Sequence, residues 1–276
     1  MTHIHRIDLG QPDGTPSVLA HCFLGHSGAW ARLVGAMSHP LAARAFDMPG
    51  HGRSPMPAAP GDFHAEVTAL IDGMVTRPTL LIGHSFGGAS ALRFALRNPQ
   101  RVRGLVLIEP VFFAVARDEP EYAAYRAQTA PMDAALMRGD YDTAAQDFYT
   151  FNDSSRDWLA LPEAARSQMI RQIALLPATM AGVIDDSGGL LAPGLIEGLT
   201  VPVLLIAGEK SPDMFRAVVR VLADRLPQAE VAIIPDAGHM APMTHAAQVA
   251  ARIDAWMAGH PQIQTANGEN KNARVG

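Results

Sequence analysis

One serine lies in a glycine-rich turn that suits a nucleophile. The segment Gly83–Gly87 reads G-H-S-F-G and stands between a short apolar run at 79–82 and a helix-like stretch. This is the G-x-S-x-G pattern in a strand–turn–helix context. Glycines on both sides avoid side-chain clashes in so tight a turn, and the N–H groups that begin the next helix favour negative charge nearby. We therefore predict that Ser85 is a nucleophile exposed at the carboxyl edge of a sheet.

A serine hydroxyl needs a base, and one histidine is well placed to be that base. His239 lies in Ile234–Met240, after the last apolar run and before the last helix-like stretch. A loop at this point returns to the carboxyl edge of a parallel sheet. The order of serine first and histidine last also fits this pattern. We predict that His239 is the general base.

The elements that must position these residues are short apolar runs alternating with helical patterns. Each run has four to seven residues, as expected for strands buried on both faces. The alternation of strand and helix predicts a mostly parallel sheet with helices on both faces. The runs are Ser17–Phe23, Ala42–Asp47, Thr79–Gly83, Gly104–Glu109, Val201–Ala207 and Glu230–Pro235.

The alternation stops between Val111 and Thr200, where the patterns are helical. We expect residues 111–200 to form a helical cap inserted into a core made of residues 1–110 and 201–258, followed by a disordered tail at 259–276. The helical patterns cover Pro120–Gln128, Asp142–Phe151, Pro162–Leu175 and Pro177–Asp186. Aromatic side chains of the insertion either line a pocket or pack the cap on the core; they are Tyr122, Tyr125, Phe148, Tyr149, Phe151 and Trp158.

Two further segments extend the similarity to a known family. Phe46–Ser54 reads F-D-M-P-G-H-G-R-S, and His21–Phe23 reads H-C-F. With the Ser85 turn, they resemble the α/β-hydrolase family with a helical cap, over about residues 15–110 and 200–258. The resemblance implies the α/β-hydrolase fold, a mostly parallel sheet of about seven or eight strands flanked by helices.

The resemblance also implies an oxyanion hole, which stabilises negative charge on a substrate oxygen. Its donors would be the backbone N–H groups of Phe23 and Phe86. The chain departs from the family at Cys22, where glycine is common. We interpret Cys22 as a small buried residue, because no base is placed beside it.

The acid that orients the base has three candidates. The family often places it in a G-x-x-D pattern after the strand before the last, but here that position holds Ser211. Glu109 ends an apolar run next to the nucleophile turn, Asp213 lies two residues beyond the vacant position, and Asp236 lies three residues before His239. We favour Glu109, because a carboxylate in so apolar a place needs a partner.

Composition limits the classes of partner. The net charge is −5, and no run of basic residues is longer than Arg101–Arg103. Both features argue against nucleic acid as a binding partner. The sequence contains no run of 18 apolar residues, so it predicts no membrane-spanning helix. The first residues also lack the apolar stretch that is typical of a signal peptide. The single cysteine suits the cytoplasm. We expect a small-molecule substrate and neither metal nor organic cofactor.

These features together predict a serine hydrolase of carboxylesterase type, acting through an acyl-enzyme on Ser85. Its substrate would be a small or medium hydrophobic ester, thioester or lactone. One alternative is a C–C bond hydrolase with the same catalytic residues. The other is a ligand-binding protein without turnover, which is supported only by the serine at position 211.

Overall fold

The computed structural model describes residues 3–59, 61–152 and 157–264, and a single sheet of seven strands organises them. The strand order is β1-β3-β2-β4-β5-β6-β7; β1 runs antiparallel to β3, and all other pairings are parallel. The strands are β1 (Arg6–Gly10), β2 (Thr15–Ala20), β3 (Leu41–Phe46), β4 (Thr79–His84), β5 (Val102–Ile108), β6 (Val203–Gly208) and β7 (Ala229–Ile234).

The mostly parallel sheet is confirmed, and each of the six predicted strands exists within about three residues of its expected bounds. The sequence did not predict β1. It lies at the sheet edge, and its residues alternate between exposed and half-buried, so it lacks the continuous apolar run that marks the central strands. The described residues hold seven strands, at the lower end of the predicted seven or eight.

Helices cover both faces of the sheet. Two buried apolar clusters result, one on each face, and the larger continues into the insertion. The helices are α1 (Ala31–Ala36), α2 (Phe63–Met74), α3 (Phe86–Arg97), α4 (Pro120–Met137), α5 (Tyr141–Asn152), α6 (Glu163–Ile173), α7 (Leu176–Val183), α8 (Asp213–Arg225), α9 (Ala241–Thr244), α10 (Ala246–Gly259) and α11 (Pro261–Gln264).

The helix α2 shows how local sequence sets an element. Asp62 precedes the helix, and its carboxylate accepts the backbone N–H of Ala65 at 2.9 Å, which satisfies one of the free donors of the first turn. Buried residues then recur every three or four positions at Phe63, Val67 and Ile71. This spacing places one apolar stripe against the sheet.

The insertion between β5 and β6 is helical in its described part. Residues 111–152 and 157–200 hold α4 to α7 and short 3₁₀ turns, and none of them joins the sheet. The helix α4 is longer than the predicted Pro120–Gln128 and continues past Pro131. Buried Met132 and Ala135 on its far half are packed in the core, and this packing offsets the backbone hydrogen bond that proline cannot make.

The C-terminal prediction needs a correction. A disordered tail was expected from residue 259, but α10 ends at Gly259 and the short helix α11 follows at Pro261–Gln264. Buried Ile263 packs into the apolar cluster beneath α10, which holds this segment in place. Residues 265–276 of the predicted tail lie outside the described residues. Among the helices of the described residues, none has both the length and the apolar character needed to cross a membrane.

Candidate active site

Ser85 sits in a strained turn between β4 and α3. Its backbone has φ 55° and ψ −118°, a conformation that a residue with a side chain rarely adopts. Two hydrogen bonds hold the turn: the Ser85 N–H donates to Ile108 O at 2.9 Å, and Ala89 N–H donates to Ser85 O at 3.0 Å. The turn is thereby fixed both to the end of β5 and to the first turn of α3.

Glycines make this turn possible because neighbouring backbones approach it closely. A Cβ atom on Gly83 would lie 2.6 Å from Gly87 O, and one on Gly87 would lie 2.2 Å from Ala20 O at the end of β2. No side chain fits at either position without moving backbone. The beginning of α3 is therefore pressed against the carboxyl ends of two strands, with Ser85 at the edge of the sheet.

His239 and Glu109 form a buried hydrogen-bonded pair. The distance between His239 Nδ1 and Glu109 Oε2 is 2.6 Å, and the two side chains are 2% and 0% exposed. Since Nδ1 faces the carboxylate, the other ring nitrogen, Nε2, is left for chemistry. The ring of Phe215 lies 4.3 Å from that of His239, centre to centre, and covers one side of the pair. Such an arrangement orients an imidazole and stabilises its protonated form.

The second oxygen of Glu109 is also bonded. Glu109 Oε1 accepts the backbone N–H of Gly208 at 2.6 Å and the hydroxyl of Ser211. Ser211 occupies the position where the family often carries its acid, and here it donates to the carboxylate of Glu109. A buried carboxylate with three donors does not carry the cost of an unpaired buried charge.

The other two candidate acids face solvent. The side chain of Asp213 is 73% exposed and pairs with Arg216, whereas that of Asp236 is 74% exposed and bonds Lys210 Nζ at 2.7 Å. Neither contacts His239. Of the three candidates, Glu109 alone lies within hydrogen-bond distance of the imidazole.

His84, next to Ser85, holds the loop that carries His239. Its Nε2 lies 2.8 Å from the carbonyl oxygen of His239, so Nε2–H donates to that oxygen. The side chain is buried, and burial, followed by the nearby His239, holds the pKa of His84 well below its ordinary value. A neutral imidazole therefore anchors the loop that carries His239. In the sequence, only the position of His84 next to Ser85 indicated that it belongs to the site.

A second neutral histidine fixes the loop after β2. His21 Nδ1 lies 2.7 Å from Cys22 O, and the backbone N–H of Met48 donates to His21 Nε2 at 3.0 Å. Burial, followed by the charge of neighbouring His51, lowers the pKa of His21 to about 3. Burial raises the pKa of the Cys22 thiol to about 12, which agrees with the interpretation of Cys22 as a small buried residue.

The same loop presents one candidate oxyanion donor. The backbone N–H of Phe23 meets no acceptor in the part of the chain that the structure describes. Phe86 is the first residue of α3, where N–H groups have no partner within the helix. Asp47 stabilises the neighbouring loop, because its carboxylate accepts hydrogen bonds from the backbone N–H groups of Ser27 at 2.6 Å and Arg53 at 2.8 Å.

Two chambers meet at Ser85. Phe23, Ser85, Phe148 and Asn152 line both. The inner chamber, of about 50 Å³, is otherwise lined by Phe86, Val111, Phe113, Tyr125, Thr129, Met132, Phe151, Leu176, Thr179, Met180, Val183 and Phe215. The outer chamber, of about 210 Å³, is otherwise lined by Cys22, Leu24, Gly25, His26, Ala29, Tyr149, Met169, His239, Met240 and Met243.

The insertion thus contributes aromatic walls to the cavity. Tyr125, Phe148, Tyr149 and Phe151 line one chamber or both, whereas Tyr122 and Trp158 pack elsewhere. Ser85 Oγ makes no hydrogen bond to any described residue, although Ser85 and His239 share the outer chamber. Catalytic hydrogen bonds are often long without substrate and tighten when it binds. In residues 3–59, 61–152 and 157–264, no group of three or more His, Cys, Asp or Glu side chains is arranged to hold a metal ion.

Comparisons with known proteins agree on one family. The profile described as "Alpha/beta hydrolase family" matches residues 18–252. The dihydrolipoyllysine-residue acetyltransferase component of the acetoin cleaving system of Pseudomonas putida is 30% identical over 257 residues, which cover 92% of this chain but only 66% of that protein. The pimeloyl-[acyl-carrier protein] methyl ester esterase of Nitrosomonas europaea is 29% identical over 242 residues, covering 87% and 93%.

A solved structure is similar in its fold. The 2-hydroxy-6-oxo-6-phenylhexa-2,4-dienoate hydrolase of Rhodococcus sp. strain RHA1 superposes with a TM-score of 0.69 at 17% identity, covering 94% of this chain and all (100%) of that one.

Proposed function

This chain belongs to the alpha/beta hydrolase family, and we propose that it hydrolyses small or medium hydrophobic esters, thioesters or lactones through an acyl-enzyme on Ser85. The observation that carries the proposal is the 2.6 Å hydrogen bond between Glu109 and His239, beside the cavity that Ser85 also lines. A nucleophile, a base and an orienting acid are the three groups that acyl transfer to serine requires.

Each group has a defined step in this mechanism. His239 Nε2 takes the proton of Ser85 Oγ as the oxygen attacks the substrate carbonyl carbon, and Glu109 stabilises the imidazolium that forms. The N–H groups of Phe23 and Phe86 hold the negative oxygen of the tetrahedral intermediate. His239 then gives its proton to the leaving alcohol. It next activates a water molecule, which releases the acid from Ser85.

The walls of the cavity support an apolar substrate. Most lining side chains of both chambers are aromatic, aliphatic or thioether groups. Sites of this kind bind apolar groups and use a few polar atoms for orientation. The name of the Nitrosomonas europaea relative, a methyl ester esterase, is in line with ester chemistry.

The structure removes the support for the alternative of a binding protein without turnover. That alternative was based on Ser211, which stands where the family often has an acid. In the structure the Ser211 hydroxyl donates to Glu109, so the serine belongs to the surroundings of a carboxylate that contacts the base.

The test is labelling with a fluorophosphonate probe together with hydrolysis of p-nitrophenyl esters. We expect Ser85→Ala to abolish labelling and to lower kcat by about 10⁴- to 10⁶-fold, because the nucleophile is lost while binding and oxyanion donors remain. Product analysis on a vinylogous 1,5-diketone tests C–C cleavage in parallel. Turnover of every ester at the wild-type rate by Ser85→Ala would contradict the proposal, as would diketone cleavage without ester hydrolysis.

A further inference from the structure

We propose, on the basis of the function just given, that the preferred substrates pair a short acyl group with a larger apolar alcohol. The feature that carries this inference is the division of the cavity at Ser85 into two chambers of different size. The carbonyl carbon must lie at Ser85, so the acyl group and the alcohol occupy opposite chambers. Which chamber takes which part follows from the position of the base.

The outer chamber is the alcohol side. During acylation His239 must deliver its proton to the leaving oxygen, so this oxygen has to lie in the chamber that the imidazole lines. His239 lines the outer chamber and is not among the residues that line the inner one. Phe86, whose N–H is a candidate oxyanion donor, lines the inner chamber and is not among the residues that line the outer one. The acyl group therefore enters the inner chamber.

The chamber volumes set the size of each part. The inner chamber has a volume of about 50 Å³ and the outer chamber one of about 210 Å³, so the inner chamber has about a quarter of the volume of the outer one. The smaller inner chamber suits acetyl and propionyl groups, and the larger outer chamber suits hexyl and phenylethyl groups.

The walls reinforce this difference. In the inner chamber Phe215 is held between aromatic rings, with Phe113 stacked at 5.8 Å and His239 at 4.3 Å, so the wall cannot move without disturbing the base. Methionines line both chambers: Met132 and Met180 the inner one, and Met169, Met240 and Met243 the outer one. Methionine side chains are flexible and adapt to ligands of different shape. The acyl side is thus the smaller one, and Phe215 gives it a fixed aromatic wall.

Two ester series test the inference with the full-length protein. At constant leaving group, we expect kcat/KM for p-nitrophenyl acetate or propionate to exceed that for the octanoate at least tenfold. At constant acetyl group, we expect kcat/KM to rise from ethyl to hexyl and 2-phenylethyl acetate. The two trends run in opposite directions, which a general preference for long or short substrates would not produce.

A matched pair of variants locates the effect. Met132→Ala enlarges the inner chamber alone and should move the acyl optimum to butyrate or hexanoate, with at least a tenfold gain for hexanoate relative to acetate. Met169→Ala removes the same atoms from the outer chamber and should change the alcohol series while leaving the acyl series as in the wild type. Met180→Ala, at a half-buried inner position, gives the same acyl test if Met132→Ala does not fold.

The outcomes separate this inference from the proposed function. Ester turnover by the wild type with octanoate equal to or better than acetate would overturn the inference and leave the hydrolase proposal intact. The same holds if Met169→Ala, rather than the inner variants, moves the acyl optimum. Absence of turnover on every ester in both series would overturn the proposed function and the inference with it.

Discussion

The carboxylate of Glu109, just after β5, has three hydrogen-bond partners. One oxygen contacts His239 Nδ1, and the other accepts the Gly208 N–H and the Ser211 hydroxyl. The backbone at Glu109 has φ 45°, so the residue turns sharply out of the strand. This turn aims the side chain along the sheet edge toward the loop after β7.

The acid assignment predicts a specific pattern of variants. Glu109→Gln should lower kcat/KM by about 10²- to 10⁴-fold, since the imidazolium loses its stabilising charge while the fold is kept. Asp213→Asn and Asp236→Asn are the controls and should stay within about threefold of the wild type, because both side chains face solvent. Steady-state kinetics on one ester decides the matter. If Asp213→Asn greatly lowered kcat/KM and Glu109→Gln left it almost unchanged, the assignment of Glu109 as the acid would be wrong.

The contact between Ser211 and Glu109 predicts that the acid can be moved. Because position 211 is buried and adjoins the carboxylate, an aspartate there can reach the base from the neighbouring strand end. In Glu109→Gln, the second change Ser211→Asp should recover at least tenfold of the lost kcat/KM. Ser211→Asn in the same background lacks the charge and is the control. Equal activity of the two double variants would speak against this idea.

The sequence predicted most residues of this candidate site from a motif, from chain order and from the chemistry of a buried carboxylate. The motif indicated Ser85, the chain order indicated His239, and the cost of an unpaired buried carboxylate favoured Glu109. The bond from His84 to the His239 carbonyl and the bond from Ser211 to Glu109 were not predicted. Both join residues that are distant in the chain, and no local pattern encodes such contacts.

At the scale of elements, the patterns predicted the strands that are rich in apolar residues, including the half-exposed edge strand β7, and missed the more polar edge strand β1. Central strands show as continuous apolar runs, whereas β1 at the edge reads R-I-D-L-G and has a polar residue at alternate positions. The end of α4 was missed for a different reason. Proline usually ends a helix, but buried Met132 and Ala135 hold the chain in helical form beyond Pro131.

The contact of α7 with α2 is close enough to predict a stability change. A Cβ atom on Gly182 of α7 would lie 2.3 Å from His64 Cβ on α2. Gly182→Ala should therefore lower the free energy of unfolding by about 1–3 kcal/mol, because the two helices must move apart. Gly73→Ala is the control on α2 itself, since a Cβ there meets nothing within 4 Å. It should raise the same quantity by about 0.5–1 kcal/mol.

Urea unfolding of the two variants checks the result. Because α7 lines the inner chamber, Gly182→Ala should also relax the preference for short acyl groups. An unchanged unfolding free energy would mean that the helices adjust at no cost.

At the scale of the whole molecule, buried neutral histidines make stability depend on pH. Burial is the main cause that lowers the pKa of His21 to about 3 and those of His51 and His64 to about 4. In the unfolded chain these groups titrate near 6.5. Below that pH the unfolded state binds more protons than the folded state, so the stability present above pH 6.5 is lost as the pH falls toward 4.

We expect the free energy of unfolding to fall between pH 6.5 and 4.5 by up to about 1.4 kcal/mol per pH unit for each such histidine. His64→Leu should remove one of these contributions, because a leucine side chain does not titrate. Urea unfolding at a series of pH values measures both slopes. Identical slopes for the wild type and His64→Leu would exclude this origin of acid sensitivity.

The hydrogen bond between Glu109 and His239 also sets an order in time, because it joins residues 130 positions apart in the chain. During synthesis Ser85 and Glu109 leave the ribosome with the first strands of the sheet, whereas His239 follows only after β7. Under the proposed mechanism, Ser85 therefore lacks its base until that last strand docks on β6. We expect ester turnover to return during refolding only when this strand has docked, later than the collapse of the core.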